Sequence, residues 1–168
     1  MLINTKEQDQ HFLALAYEYA RDYSPDPRTQ NGAVIVNPES MEIIGKGANR
    51  FPNGVKELPE RLEPAYKKSY LEHAERDAIF SAIRQGNNPK GCTMYVPWFA
   101  CSDCAKAIIG AGIVKVVGHL APCSASTAWS DTIAIGLRMF EEAGIQYSYY
   151  DGVIGVKDLR FNGEIVER

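Results

Sequence analysis

The sequence lacks long hydrophobic runs and an excess of positive charge. No apolar stretch approaches about 20 residues, the length that a helix needs to cross a bilayer, so we expect no membrane partner. The first seven residues contain no basic segment followed by an apolar one, so we expect no secretion signal and a cytoplasmic location. The formal net charge of −3 argues against a large nucleic-acid-binding face, although it leaves room for a small basic pocket.

Cysteine is also scarce, and its spacing is informative. The chain has four cysteines, Cys92, Cys101, Cys104 and Cys123. In a reducing cytosol, the C-x-x-C spacing of Cys101 and Cys104 indicates metal or redox chemistry more often than a structural disulfide. The 168 residues, 45% of them apolar, are enough for one hydrophobic core, and we interpret residues 1–168 as a single domain.

The pattern of apolar residues predicts alternating helices and strands. Helices are expected over 5–23, 66–85, 102–111 and 130–143, and strands over 33–36, 42–48, 93–96, 114–118 and 145–149. Loops are expected over 49–65 and 121–126, and the tail over 152–168 is expected to form a short hairpin or strand. An antiparallel hairpin followed by alternating helices and strands predicts an α/β fold with helices on both faces of a mixed sheet.

The motif His73-Ala74-Glu75 and the later pair Cys101 and Cys104 supply the parts of a zinc site. One imidazole and two thiolates suit Zn²⁺, and three protein ligands leave one tetrahedral position open for water. A metal in such a site lowers the pKa of that water, and Glu75, which is not needed as a ligand, is available to move protons. This H-x-E and C-x-x-C combination is typical of zinc-dependent nucleobase deaminases.

The spacing of these residues makes a structural demand. On a regular helix, His73 and Glu75 would point about 200° apart, so they can share a site only beyond a helix end. We therefore predict a helix start near His73, with residues 66–72 irregular or forming a separate turn. Cys101 and Cys104 are expected to meet on one face at the start of the next helix, where the helix dipole lowers thiol pKa values.

Two other interpretations of the motif stay open. A redox-active C-x-x-C pair needs no metal, and a structural zinc site needs a fourth ligand. The candidates for that fourth ligand are Cys92, Cys123, His119 and His11. Cys92 and Cys123 are better explained as small buried hydrophobic residues. The joint occurrence of the histidine motif and a C-x-x-C pair that opens a helix favours catalytic zinc.

The sequence resembles the cytidine and deoxycytidylate deaminase superfamily, most closely its deoxycytidylate (dCMP) deaminases, over about residues 8–150. The matching segments are 24–27, 32–36, 47–54 with its G-x-N-x-x-P-x-G pattern, 73–79, 93–96 and 101–108. The resemblance implies a three-layer α-β-α sandwich with a five-stranded mixed sheet, assembled as a dimer or hexamer. It also implies hydrolytic deamination of a free cytosine nucleotide, dCMP to dUMP and ammonia, with Zn²⁺ on His73, Cys101 and Cys104 and with Glu75 as proton carrier.

The resemblance further implies residues of a substrate pocket. Asn49 matches the asparagine that holds the deoxyribose hydroxyl in the family, although a turn residue is the structural alternative. The backbone around Phe99 and Ala100 would receive the exocyclic amine. Trp98 is a candidate for stacking on the base, and a core position is its alternative.

Phosphate recognition requires cations or helix N-termini. Arg28, Arg50 and Lys56 lie in loops that flank the predicted pocket, and Arg28 is the first candidate. A solvated surface charge is the alternative for each of them.

Three features differ from the family pattern. Ala100 precedes Cys101 where the family has proline, and the bulky Trp98 and Phe99 beside it leave a modified cytosine or another amino-base as an alternative substrate. Asp77 replaces an asparagine, which would change hydrogen bonding or recognition near the site. The cysteine and acidic residues of regulated members are missing after the P-x-G motif, so we expect no control by dCTP and dTTP.

Two alternatives from other functional classes also stay open. One is a deaminase that acts on a base in RNA or DNA, which needs a cationic groove that the acidic balance disfavours. The other is a zinc-binding interaction module without catalytic activity.

Overall fold

The computed structural model describes residues 5–125 and 129–168. Its helices are α1 (Thr5–Tyr23), α2 (Lys67–Tyr70), α3 (Ala74–Arg84), α4 (Ser102–Gly110), α5 (Leu120–Ala125) and α6 (Ser130–Ala143). Its strands are β1 (Gly32–Val36), β2 (Ile43–Ala48), β3 (Thr93–Tyr95), β4 (Lys115–His119), β5 (Gln146–Tyr150), β6 (Leu159–Phe161) and β7 (Glu164–Val166). Residues 1–4 and 126–128 lie outside this description, so a single domain over 1–168 stays a prediction.

Five strands form one mixed sheet in the order β2-β1-β3-β4-β5. Strand β1 pairs antiparallel with both β2 and β3, whereas β3, β4 and β5 run parallel. Parallel neighbours need crossover connections; α4 lies between β3 and β4 in the chain, and α5 and α6 lie between β4 and β5. The predicted hairpin and the predicted five-stranded mixed sheet are both confirmed.

Successive residues of β1 face opposite sides of the sheet. Val34 and Val36 belong to one apolar cluster, in which helix α1 contributes Leu13 and Tyr17. Ile35 belongs to a second cluster, to which α3, α4 and α6 contribute buried side chains such as Ala78, Ile108 and Phe140. The side-chain period of two therefore divides the core into two halves, and this arrangement produces the predicted α-β-α sandwich.

Helix α3 packs directly on the backbone of β2, because the strand carries glycine at the contact. A Cβ atom built on Gly47 would lie 2.2 Å from the carbonyl oxygen of Ala74 and 2.2 Å from the amide nitrogen of Ala78. The first turn of α3 is thus held close to the sheet, and this turn contains two of the residues that the sequence assigns to the site.

The helix predicted over 66–85 is broken in the structure, as the spacing of His73 and Glu75 required. Helix α2 ends at Tyr70, and Leu71 adopts extended backbone angles (φ −85°, ψ 130°) before α3 begins at Ala74. The predicted loop over 121–126 is wrong for its described residues, because Leu120–Ala125 is helical and residue 126 lies outside the description. There the Ser124 hydroxyl donates to the carbonyl oxygen of Leu120 at 2.8 Å, within the helix.

The C-terminal tail contains the predicted hairpin. Strands β6 and β7 pair antiparallel and form a separate two-stranded sheet. Asn162 and Gly163 connect them, both with positive φ (53° and 87°), which is the backbone conformation that an Asn-Gly hairpin turn requires. Of the helices described, none is both long enough and apolar enough to span a membrane.

Candidate active site

His73, Cys101 and Cys104 lie together where α3 and α4 begin. His73 is the residue before α3 and Cys101 the residue before α4, both with extended backbone, while Cys104 is in the first turn of α4. The Nδ1 atom of His73 is 3.5 Å from the Cys101 sulfur and 3.4 Å from the Cys104 sulfur. The positive ends of two helix dipoles therefore face the same point, which favours thiolates there.

The donor set fits Zn²⁺ with one open position. The ligand atoms of the three residues all lie within 4.8 Å of one another, and within the described ranges no fourth histidine, cysteine or carboxylate joins them. Two of the candidates for a structural fourth ligand have partners elsewhere. Cys123 approaches the carbonyl oxygen of Pro97 at 3.4 Å, and the His119 ring contacts the Tyr17 hydroxyl at 2.7 Å. A closed structural zinc site is therefore not formed by the described residues.

The two thiols form a polarised pair. The hydrogen bond from the Cys104 thiol, supported by His73, lowers the pKa of Cys101 to about 4 even though burial opposes this shift. The hydrogen bond to Cys101 in turn raises the pKa of His73 above its ordinary value. The fold thus stabilises negative charge on sulfur next to an imidazole, and such a charge is what attracts a divalent cation.

Glu75 lies beside these ligands in the first turn of α3 and is 3% exposed. Burial raises the pKa of its carboxyl group, and the neighbouring His73 partly offsets that effect. A carboxyl group whose pKa is shifted upward toward neutrality is suited to both accept and donate a proton. The position and burial of Glu75 therefore match the proton carrier that the sequence predicts.

A cavity of about 440 Å³ opens onto this cluster. His73, Glu75 and Cys101 line one part of it, and the buried state of Glu75 and Cys101 marks that part as the floor. Arg28 and Asn162 also line the cavity but are exposed, and they mark the rim. This volume is within the range of small-molecule sites in enzymes.

A family model described as the cytidine and deoxycytidylate deaminase zinc-binding region matches residues 6–120. The chain belongs to this family. A deoxycytidylate deaminase of Pongo abelii is 37% identical over 147 residues, which cover 84% of this chain and 78% of that protein. The deoxycytidylate deaminase of Homo sapiens is 42% identical over 117 residues, which cover 66% of this chain and 64% of that protein.

Solved structures agree on the fold. The dCMP deaminase from the cyanophage S-TIM5, in a complex with dCMP and dUMP, aligns with a TM-score of 0.65 at 21% identity, over 85% of this chain and 96% of that chain. RibD of Acinetobacter baumannii aligns with a TM-score of 0.59 at 26% identity over 87% of this chain, which spans only 36% of that longer chain. Together with the family match, the cluster of His73, Cys101 and Cys104 identifies the metal as zinc.

Asn49 lines the cavity, and its side chain is also used by the protein itself. Its amide nitrogen donates to the carbonyl oxygen of Thr29 at 2.8 Å and to the carboxylate of Asp26 at 3.3 Å. Its amide oxygen accepts a hydrogen bond from the backbone of Asn31 at 2.8 Å. Both the turn role and the cavity position considered from the sequence are therefore present, and one lone pair of the oxygen is left for a ligand.

Four residues that the sequence considers for substrate binding do not line the cavity in the described structure, and one of them is Lys56, an exposed residue. Arg50 and Asp77 pair with each other instead, at 2.7 and 3.1 Å, and Ala100 is buried in the core. The Asp77 carboxylate also accepts from the backbone of Ala48 at 3.1 Å. Because an arginine–carboxylate pair uses the same donors that would bind phosphate, the structure gives Arg50 a different partner from the one expected.

Trp98 and Phe99 both line the cavity, as the sequence predicts. The Phe99 ring is 4% exposed and packs against the ring of Tyr149, with 4.9 Å between centroids. The indole of Trp98 packs on Phe161, and its Nε1–H group has no hydrogen-bond partner within the described part of the chain. Of the two residues, Phe99 both packs in the core and lines the cavity.

Sequence reasoning missed several cavity residues, namely Asp26, Lys67, Lys68, Trp129 and Asn162. Lys67 and Lys68 lie in the short helix α2, and Trp129 precedes α6. The sequence around the zinc motif does not indicate a role for them in the site. A signal did exist for Asn162. The dipeptide Asn-Gly between two short apolar segments is the strongest local sign of a hairpin, although it does not reveal which surface the hairpin covers.

Proposed function

We propose that the chain catalyses the hydrolytic deamination of dCMP to dUMP and ammonia with zinc as cofactor. The observation that carries this proposal is the buried Glu75 beside a three-ligand zinc cluster on the floor of a nucleotide-sized cavity. The dCMP deaminases among the relatives, at 37% and 42% identity, support dCMP as the substrate.

The role of Glu75 follows from its position. His73, Cys101 and Cys104 would hold the zinc, which would supply a water of lowered pKa. Glu75 accepts a proton from this water and delivers it to the ring nitrogen N3 of the cytosine as the water oxygen bonds to C4. The same carboxylate then takes the proton of the new C4 hydroxyl group and passes it to the exocyclic amine, which leaves as ammonia when the C4–N bond breaks. Burial of Glu75 keeps bulk water away from this transfer and raises the pKa of its carboxyl group above the ordinary value.

Residues in the walls of the cavity would orient the nucleotide. Trp98 and Phe99 line the cavity and are our candidates for contact with the base, and the Phe99 backbone is our candidate to accept from the exocyclic amine. The remaining lone pair of the Asn49 amide oxygen is the group we assign to a deoxyribose hydroxyl. Arg28 lies at the rim and is our candidate for the 5′-phosphate.

A substrate panel tests the proposal. Ammonia release by the zinc-loaded protein would be measured with dCMP, dCTP, deoxycytidine, methylated dCMP, purine nucleotides and a cytosine-containing oligonucleotide. We expect dCMP to give the highest kcat/KM. Activity with methylated dCMP or a purine nucleotide but not dCMP would favour the alternative amino-base, and activity on the oligonucleotide alone would favour a nucleic-acid deaminase. Ammonia release from none of them would favour the zinc-binding module.

Three further expectations belong with this proposal. Homo-oligomeric assembly, as a dimer or hexamer, is tested by light scattering after size-exclusion chromatography. A cytoplasmic location is tested by fractionating the source cells. The absence of control by dCTP and dTTP is tested by adding either nucleotide to the dCMP assay, where we expect no change in rate.

A further inference from the structure

The C-terminal hairpin of β6 and β7 reaches the same cavity as the zinc cluster. It lies outside residues 6–120, the part of the chain that the family model matches. Its turn residue Asn162 is nevertheless a lining residue of the cavity, together with Arg28 and Thr29. A segment from the end of the chain thus completes a wall of the site.

Hydrogen bonds fix the hairpin turn against this wall. The backbone N–H of Gly163 donates to the carbonyl oxygen of Arg28 at 2.8 Å, and the N–H of Asn162 donates to the Thr29 hydroxyl at 3.1 Å. Gln30 and Arg160 exchange two further bonds, at 2.9 and 3.0 Å. The hairpin therefore holds the backbone of Arg28 and Asn162 side by side at the rim.

The cationic side chains that line the cavity differ in the partners that they have within the protein. Lys67 is paired with Asp26 at 2.7 Å, and the Lys68 ammonium lies over the ring of Trp129 at 4.7 Å from its centroid. The Arg28 guanidinium, in contrast, forms no ion pair within residues 5–125 and 129–168. The side-chain amide of Asn162 likewise has no hydrogen-bond partner in those ranges. The rim therefore presents a guanidinium and an amide that are both available to a ligand.

We propose that Asn162 is a substrate-binding residue that, with Arg28, holds the 5′-phosphate of the nucleotide. This inference rests on the proposed function and deepens it, because it explains how a nucleotide is selected over a nucleoside. The buried floor receives the base, so the exposed rim faces the opposite end of the substrate. An amide N–H and a guanidinium are both donors to a phosphate oxygen, and the guanidinium adds opposite charge.

Two substitutions at Asn162 separate side-chain chemistry from backbone conformation. Glycine and aspartate both tolerate the positive φ of 53° at this position, so neither Asn162→Gly nor Asn162→Asp should disturb the turn. Asn162→Gly removes the amide, whereas Asn162→Asp keeps its size and repels an anion. Lys157→Gln is the matched control, because it changes net charge by the same −1 on an exposed residue of the tail that does not line the cavity.

The test combines KM for dCMP with the Kd of dUMP and of deoxyuridine by calorimetry, all on zinc-loaded protein of verified metal content. For Asn162→Gly we expect both KM for dCMP and the Kd of dUMP to rise roughly tenfold, the factor for one hydrogen bond to a charged group. Asn162→Asp should raise them further. The Kd of deoxyuridine should change by less than about twofold, and so should every value for Lys157→Gln.

Three outcomes would overturn the inference in different ways. If wild-type protein deaminates dCMP but both Asn162 variants match Lys157→Gln, the hairpin does not hold the phosphate and the proposed function stands. If dUMP and deoxyuridine lose affinity equally, Asn162 acts on the shape of the site and not on phosphate. Wild-type protein without any dCMP turnover would remove the proposed function and this inference together.

Discussion

Lys67 donates from its ammonium group to both carboxylate oxygens of Asp26, at 2.7 and 2.9 Å, on the wall of the cavity. The Asp26 side chain is 5% exposed and also accepts from the backbone N–H of Arg28 at 2.9 Å. This pair joins the isolated turn α2 to the loop that carries Arg28. It thereby links the two segments that form one side of the cavity.

Loss of Lys67 should destabilise the protein, because it leaves the buried Asp26 carboxylate without its cation. We expect Lys67→Met to lower the free energy of unfolding by about 3 kcal/mol, measured by urea denaturation of zinc-loaded protein. Lys68→Met is the matched control, since the exposed Lys68 only covers the Trp129 ring, a contact worth about 0.5–1 kcal/mol. In the double variant Asp26→Asn with Lys67→Met, part of the loss should be recovered. Equal losses in Lys67→Met and Lys68→Met would contradict the assigned role of the ion pair.

Substitutions at Phe99 and Gly118 should have coupled effects on the free energy of unfolding. A Cβ atom on Gly118 would lie 2.6 Å from Cδ2 of the Phe99 ring, which already packs against Tyr149. Gly118→Ala should therefore cost about 1–3 kcal/mol of unfolding free energy and raise KM, because the displaced ring lines the cavity. Phe99→Leu in the same chain should recover much of the stability. A double variant with the summed losses of the two single ones would show that no such coupling exists.

His119 should make folding stability depend on pH. Burial lowers the pKa of its imidazole, although the hydrogen bond with the carbonyl oxygen of Gly152 opposes this, while a histidine in the unfolded chain titrates near about 6.5. Below that value the unfolded chain binds the proton and the folded one does not. The contribution of His119 to stability is therefore complete above about pH 6.5 and declines as the pH falls toward the folded pKa, by at most about 1.4 kcal/mol per pH unit.

The measurement is chemical unfolding of wild-type protein and His119→Gln at pH 7.5 and 5.5 with saturating zinc. The stability difference between them should shrink at the lower pH, because only wild-type protein loses the contribution of the buried neutral imidazole. His11→Gln, at an exposed position of α1, serves as the control for replacing a histidine by glutamine. A difference for His119→Gln that is the same at both pH values would count against this account.

The zinc site could be predicted from the sequence because its geometry is local. His73 and Glu75 are two residues apart, Cys101 and Cys104 are three apart, and helix geometry alone then fixes where a helix has to begin. The continuous apolar run of β1 similarly predicts a buried strand. These features depend on residues that are close together in the chain, so they can be predicted from a single sequence.

The cavity walls could not be predicted in the same way. Arg50 carries the charge expected of a phosphate ligand. Only the folded structure shows that its guanidinium group is paired with Asp77, 27 residues later in the chain. Asn162 is 133 residues from its partner Thr29 along the chain, and no pattern joins the two. Long-range pairing of polar side chains decides which cations and amides stay available, and this pairing is a property of the tertiary structure.

The most direct test of the central claim is dCMP turnover by Glu75→Gln, measured together with its zinc content. The substitution keeps the shape of the side chain and the three metal ligands but removes the group that moves protons. We predict about one zinc per chain in both proteins, and a kcat for dCMP lower by about 10²–10⁴-fold in the variant. Unchanged turnover with zinc retained would show that Glu75 is not the proton carrier and would contradict the account.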